Sequence, residues 1–207
     1  MGSQERCGAN TKCPRNLGMT DELRMNYLDM HNYRRSLLAN GQVAKNTKNL
    51  LPQGANIMKL ELNCDLEAGA IAYAKTCPYD VSSGGLRRGI GEHYHRVPVS
   101  DVATERDAIK SAVTNWWRVV RLYPGPGMEV TFRSKHVGTP IETFTQMAWA
   151  DTRKLGCAVE ACNTDYVVIC RYYPKGNIID RQIYTPEPPC TACSTNKCDD
   201  ELGLCIE

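Results

Sequence analysis

Glu92, His93 and His95 stand within one short run, and His136 follows further along the chain; their side chains are of the types that hold divalent metals. Imidazole nitrogens combined with carboxylate oxygens suit zinc, and a coordination position left open to water would make such a centre hydrolytic. The local pattern argues against assembly. In an extended chain His93 and His95 share one face while Glu92 points to the other, and His136 follows the basic residues Arg133-Ser134-Lys135. Ser82 and Ser83 offer hydroxyls, but no motif sets a histidine beside them, and an unactivated serine is a weak nucleophile at neutral pH. No catalytic residue is assigned, and no cofactor is expected.

Cysteine is the other chemically active residue type. The chain of 207 residues has eleven cysteines, four of them (Cys190, Cys193, Cys198 and Cys205) in the last part of the sequence. A zinc ribbon requires two Cys-x2-Cys pairs or a histidine-rich half, whereas this tail has spacings of two, four and six residues and no histidine. Disulfides in an oxidising compartment are the reading, so an extracellular, secreted protein is expected. Because eleven is odd, one cysteine is left for an intermolecular bridge or a free thiol. Cys7, Cys13 and Cys64 compete for that place.

The elements that position these groups are legible in part. Residues 154–178 read as a β-hairpin, with runs rich in Val, Ile and Tyr flanking the turn formers Asn163-Thr164-Asp165. A two-residue turn at 163–164 sets Cys157 opposite Cys170, within bridging reach. Cys162, five residues from Cys157, points to the other face and needs a partner from a packed layer. Cys77 is the choice, because Leu66, Ala70, Tyr73 and Cys77 share one face of a helix opened by Asn63 or Asp65 and ended by Pro78. A first helix follows Thr20 and stops at Asn40-Gly41. A third is expected over 100–123, with a capping box at Thr104-x-x-Asp107. Pro186-Glu187-Pro188-Pro189 reads as a stiff linker, and the tail beyond it is too small for a core of its own.

Composition closes off other classes. The net charge is +2 with both signs interspersed, and no polybasic stripe supports nucleic-acid binding. No apolar run approaches the roughly 20 residues that span a bilayer. Residues 1–6 lack the apolar region of a signal peptide, so the chain is expected to begin after a cleaved leader or with an expression remnant. One domain over 19–185, an extended arm over 1–18 and a cysteine-rich tail over 186–207 is the expected organisation.

Two stretches carry a family resemblance. Residues 142–152, with Thr143-Phe144-Thr145-Gln146-Met147-Ala148-Trp149 and Thr152, resemble the first signature of the CAP superfamily of cysteine-rich secretory, antigen-five and pathogenesis-related proteins. Residues 167–178, ending in Tyr173-Pro174-Lys175-Gly176-Asn177-Ile178, resemble the second. The tail and Met30-His31-Asn32-Tyr33-Arg34-Arg35 are most similar to the activation-associated, or Ancylostoma-secreted, proteins of parasitic nematodes. The resemblance implies an α-β-α sandwich around a small antiparallel sheet with a disulfide-stapled C-terminal hinge. It also implies structural hydrogen bonds for His31, Asn32 and Arg35, agrees with Cys77–Cys162, and ties Cys13 to the domain, most simply through Cys64; Cys7, on a polar arm near the terminus, is then the odd one, expected in a disulfide-linked homodimer or as a free reactive thiol.

The same resemblance implies a cavity lined by two His and two Glu. At the four corresponding positions this sequence has Val81, Glu92, Val119 and Thr143. One carboxylate among Val and Thr does not make a zinc site, which needs about three protein ligands. What remains is binding: of a host or self protein, with the basic segments Arg87-Arg88 and Arg133–Lys135 as contacts, or of a small hydrophobic ligand in a cavity made more apolar. A sterol or fatty-acid carrier and a metal-dependent hydrolase are the alternatives.

Overall fold

Helices begin where the sequence supplies a cap. In a computed structural model, which describes residues 8–207, α1 (Asp21–Ala39) starts after Thr20, whose hydroxyl accepts from the Leu23 N–H at 3.3 Å. It stops ahead of Gly41, whose φ of +68° few other residues adopt cheaply. The Asn63 side chain accepts from the Leu66 N–H at 2.9 Å and opens α2 (Cys64–Ala74). The helix ends short of Cys77, which sits beyond it at φ +50°, so the helical spacing that put Cys77 on the inner face does not extend that far. In α3 (Glu105–Arg118) the Thr104 hydroxyl accepts from the Asp107 N–H (3.1 Å) and donates to its carboxylate (2.8 Å). This cap starts the helix later than the expected residue 100. At the other end residues Val119–Arg121 tighten into a 3-10 turn. A fourth helix, α4 (Ile141–Ala148), forms in the first signature stretch, where the sequence reading assigned no element.

The strands are β1 (Glu61–Leu62), β2 (Gly91–Pro98), β3 (Lys154–Cys162) and β4 (Asp165–Tyr173), in the order β1-β3-β4-β2. β2, β4 and β3 are antiparallel, and β1 adds a short parallel pair at the β3 edge, so the sheet is mixed. Asn163, at φ +54°, lets the two-residue turn close, and Cys157 faces Cys170 across the ladder. The chain divides into two compact units. One comprises the residues up to Met30, Glu61–Thr114 and Lys154–Tyr173; the other comprises His31–Leu60, Asn115–Arg153 and Pro174–Glu207.

In the first unit, α2 lies on β3 and β4 around Ala70, Ala74, Ala158, Val167 and Ile169. Contact is close because Gly156 has no Cβ; one there would overlap the backbone of Leu66 and Glu67. Cys77–Cys162 and Cys157–Cys170 are disulfides, and Cys13–Cys64 ties the arm to α2. Beneath the arm the fully buried Arg24 and Glu67 pair at 2.7 Å. Glu67 also accepts from Asn16 Nδ2 (3.0 Å) and from Tyr27 OH (3.0 Å). Burial and the Glu67 charge hold the Tyr27 phenol well above its ordinary range. Asp21 accepts from the Thr11 N–H and hydroxyl and from the Lys12 N–H, and these bonds push its pKa well below the usual carboxylate range. The arm therefore lies on the domain. Cys7 falls outside the described residues.

In the second unit the buried Arg35 donates to the carbonyls of Met58, Met147, Trp149, Ala150 and Thr152 at 2.7–3.3 Å. Asn32 Nδ2 donates to the Leu60 carbonyl (2.9 Å) while Asn32 Oδ1 accepts from the Leu60 N–H (2.8 Å). The tail forms a two-stranded ladder, β5 (Cys198–Asp199) and β6 (Leu204–Cys205), closed by Cys190–Cys198 and Cys193–Cys205. It is held to Met58 and Lys59 through Lys59 N–H to Cys205 O (2.7 Å) and a Lys59–Asp199 ion pair (2.8 Å).

Removing Arg24 as Arg24→Ala leaves the Glu67 charge buried without its partner, at a cost of about 3–5 kcal/mol; denaturant unfolding should show the loss, with a much smaller one for Arg106→Ala at an exposed pair. The depressed Asp21 pKa contributes stability that is complete above the unfolded carboxylate value near 3.9 and fades as pH falls below it. In NMR spectra recorded from about pH 5 to about pH 2, the Asp21 carboxylate should stay ionised and the Thr11 and Lys12 amides should keep their protection in wild type, whereas Asp21→Asn should weaken that protection throughout.

Candidate binding site

Two of the four cavity positions fall in the first unit. Glu92 is buried in β2, directly across the ladder from Arg171 of β4. Its Oε2 accepts from Arg171 Nε at 2.7 Å, and its Oε1 accepts from the Ser82 backbone N–H at 2.6 Å. Arg87 Nε stands 3.7 Å from Oε1 and donates to the Ser82 carbonyl (3.1 Å), while its Nη1 donates to the Ile90 carbonyl (3.1 Å). The carboxylate is thus neutralised and both its oxygens are engaged. Room for Arg171 comes from Gly69 of α2, where a Cβ would overlap the guanidinium. The surroundings of Glu92 are therefore charged rather than apolar, contrary to the expectation from Val81, which is 38 % exposed at the loop surface.

Sequence reasoning missed Arg171 and Gly69. A usable signal was present: an arginine closing the apolar run Val167-Val168-Ile169-Cys170 needs a carboxylate on the same face of its neighbour strand.

Val119 and Thr143 fall in the second unit. Thr143 Oγ1 donates toward the carbonyls of Trp116 (2.8 Å) and Pro140 (3.0 Å), and Val119 opens the 3-10 turn after α3. Val119 has no donor atom in its side chain, and the Thr143 hydroxyl is taken up by these carbonyls. Around them the two signatures lock together. Gln146 Nε2 donates to Thr152 Oγ1 (3.0 Å) and Gln146 Oε1 accepts from the Gly176 N–H (2.8 Å). Thr152 Oγ1 donates to the Pro174 carbonyl (2.9 Å), and Asn177, at φ +57°, joins Thr145 Oγ1 (2.7 Å) to the Glu142 carbonyl (2.9 Å). Gly176 is required because a Cβ there would overlap the Trp149 side chain. These hydrogen bonds make the signatures structural fasteners.

The remaining candidates are dispersed or occupied. His93 lies against Tyr172, with ring centroids 4.6 Å apart, on the opposite strand face from Glu92. His136, expected in a basic loop, is buried in a 3-10 turn, where its Nδ1 accepts from the Arg133 N–H (2.9 Å). Burial, reinforced by Lys135, pushes its pKa down. Ser82 is buried and Ser83 precedes the following 3-10 turn without a side-chain cap bond, and among the described residues no histidine is bonded to either. Among the described residues, Cys190, Cys193 and Cys198 have sulfurs within 4.8 Å of one another, and all three are in disulfides. Nor do the basic segments present all their charge: Arg87 turns inward, and Arg133 pairs with Asp180 (3.1 Å) and Glu129 (3.4 Å).

Comparison with known proteins agrees with this arrangement. The chain is 37 % identical over 199 residues to Ancylostoma secreted protein of Ancylostoma caninum, covering 95 % of this chain and 47 % of that protein, so it spans about half of that relative's length. It is 30 % identical over 194 residues to Scoloptoxin SSD976 of Scolopendra dehaani, covering 91 % and 86 %. Among solved structures, that of NaASP2 with Zn2+ superposes with a TM-score of 0.86 at 34 % identity, covering 93 % of this chain and 99 % of that one; BmVAL-1 gives 0.89 at 29 %, covering 95 % and 98 %. Residues 28–172 match the model of the cysteine-rich secretory protein family. On this evidence the chain belongs to the cysteine-rich secretory protein (CAP) family.

Proposed function

We propose that this protein is a secreted, non-catalytic effector that acts by binding a host protein. Secretion is supported by the disulfide framework and by relatives named as a secreted protein and as a scoloptoxin. No helix among the described residues is long and apolar enough to cross a membrane.

The observation that carries the non-catalytic reading is the state of Glu92. It is the one acidic group retained at the four cavity positions, and Arg171 and the Ser82 N–H already occupy its oxygens. A metal would have to displace a guanidinium from a buried carboxylate and would find Val or Thr at the other three positions. The solved relative NaASP2 was determined with Zn2+; the donor set of this chain does not suit that ion.

Binding of a protein is favoured over carriage of a hydrophobic ligand by the surface. Tyr79 and Leu86 are 82 % and 83 % exposed on the loop that Glu92 and Arg87 fasten, close in sequence to the exposed Arg88. A fixed loop presenting aromatic, aliphatic and cationic groups is suited to a protein interface. Two clefts of about 510 and 550 Å3 are rimmed by Asp180 and Arg181 and by Arg106 and Lys110, which do not suit an apolar cargo.

Calorimetric titration with zinc should show no specific site at micromolar affinity or tighter, the range of about −8 kcal/mol and beyond. Stoichiometric binding that disappears in Glu92→Gln would establish a metal site instead. Organic extraction of the purified protein should yield no stoichiometric lipid, and a bound sterol or fatty acid would make the chain a carrier.

A further inference from the structure

The two tail disulfides stand where each can react with the other. The sulfurs of Cys190, Cys193 and Cys198 lie within 4.8 Å of one another, although they belong to two different bridges, Cys190–Cys198 and Cys193–Cys205. Two further features define a second pairing. Cys190-Thr191-Ala192-Cys193 has the Cys-x2-Cys spacing that closes on itself in thiol-exchange motifs. Cys198 and Cys205 face each other directly across the β5–β6 ladder, the relation that Cys157 and Cys170 have in the main sheet, where they are bonded. Accessibility is graded: Cys190 and Cys198 are half-buried, Cys193 is 9 % exposed and Cys205 is fully buried.

We infer that the tail is a thiol–disulfide exchange site, entered by a low-molecular-weight thiol at the Cys190–Cys198 bridge, and that it interconverts the observed pairing with Cys190–Cys193 plus Cys198–Cys205. The steps balance without an oxidant or reductant. The external thiolate attacks Cys198 Sγ, forming a mixed disulfide and releasing the Cys190 thiolate. Cys190 attacks Cys193 Sγ, which forms Cys190–Cys193 and displaces the Cys205 thiolate. Cys205 attacks the Cys198 sulfur of the mixed disulfide, forming Cys198–Cys205 and returning the external thiolate. Among the described residues five bridges exist before and after.

The consequence is mechanical. In the observed pairing, Cys190 and Cys193 fasten the end of the Pro-rich linker to β5 and β6, which are held to Met58 and Lys59. After exchange, the ladder closes on itself and stays on Lys59, while the linker end loses its covalent tie and keeps the Ala192 N–H to Ala55 O hydrogen bond (3.3 Å).

Lys197 makes the test direct, because trypsin cleaves between the two cysteine pairs. The full chain is incubated with a catalytic amount of reduced glutathione, trapped with N-ethylmaleimide and digested without reduction. The observed pairing gives the Cys190/Cys193 and Cys198/Cys205 fragments joined as one species. Exchange gives two separate fragments, each lighter by two hydrogens than its dithiol, with no maleimide on either. In a second arm, Cys190→Ser leaves Cys198 unpaired, and exchange moves the alkylated thiol to Cys193 or Cys205. Separate fragments in the first arm or a displaced label in the second support the proposal. One joined fragment in the first, together with label confined to Cys198 in the second, overturns it.

Discussion

The buried pairing of Arg24 with Glu67 is the interaction on which the first unit depends. Both side chains are fully buried, and each would be strongly destabilising alone. The geometry compensates: Arg24 Nε and Nη2 reach the Glu67 carboxylate, and Asn16 and Tyr27 supply further donors. Glu67 is on α2, which Gly156 allows to sit directly on β3, and Arg24 carries the arm through the carbonyls of Cys13 and Asn16. One ion pair thereby fixes where α1, α2 and the arm meet, and the Cys13–Cys64 bridge covers it. A wholly apolar contact would bury area without fixing the arm's register in this way.

The second half of α1 uses the same residue type differently. Arg35 directs its guanidinium into backbone carbonyls at the end of α4 and the turn after it, where a helix C-terminus leaves acceptors unsatisfied. The signature residues Gln146, Thr152, Gly176 and Asn177 then join that turn to the segment leaving β4. What the family signatures describe here is the hydrogen bonding of irregular backbone. Such residues are compatible with many functions because their polar groups serve the backbone.

At Glu92 the same chemistry bears on function. A carboxylate facing an arginine across an antiparallel ladder becomes part of the frame, and the loop it holds through Ser82 becomes an ordered surface. Charge that would bind metal in an open site has been used to position a loop. The proposed role in protein recognition follows from that exchange, since an ordered loop loses less entropy on association than a mobile one.

The sequence by itself determined the hairpin, its turn and the cross-strand Cys157–Cys170 pair, because alternation and turn chemistry act over a few residues. It also determined the caps of α1 and α3, narrowed that of α2 to Asn63 or Asp65, and determined the family through two signatures in order. The fate of Glu92 was decided only by tertiary structure: its partner Arg171 is remote in sequence, and neither Gly69 nor Arg87 announces in the sequence that it serves that pair. The same holds for the mixed sheet and for the inward turn of Arg87 and the pairing of Arg133, which in the sequence read as free surface charge. Pairing within the tail belongs there too, since four cysteines in a short segment allow three connectivities and only three-dimensional proximity selects among them. Local patterns specify where the chain turns and which face it shows, whereas a buried charge is defined by the partner that folding brings to it.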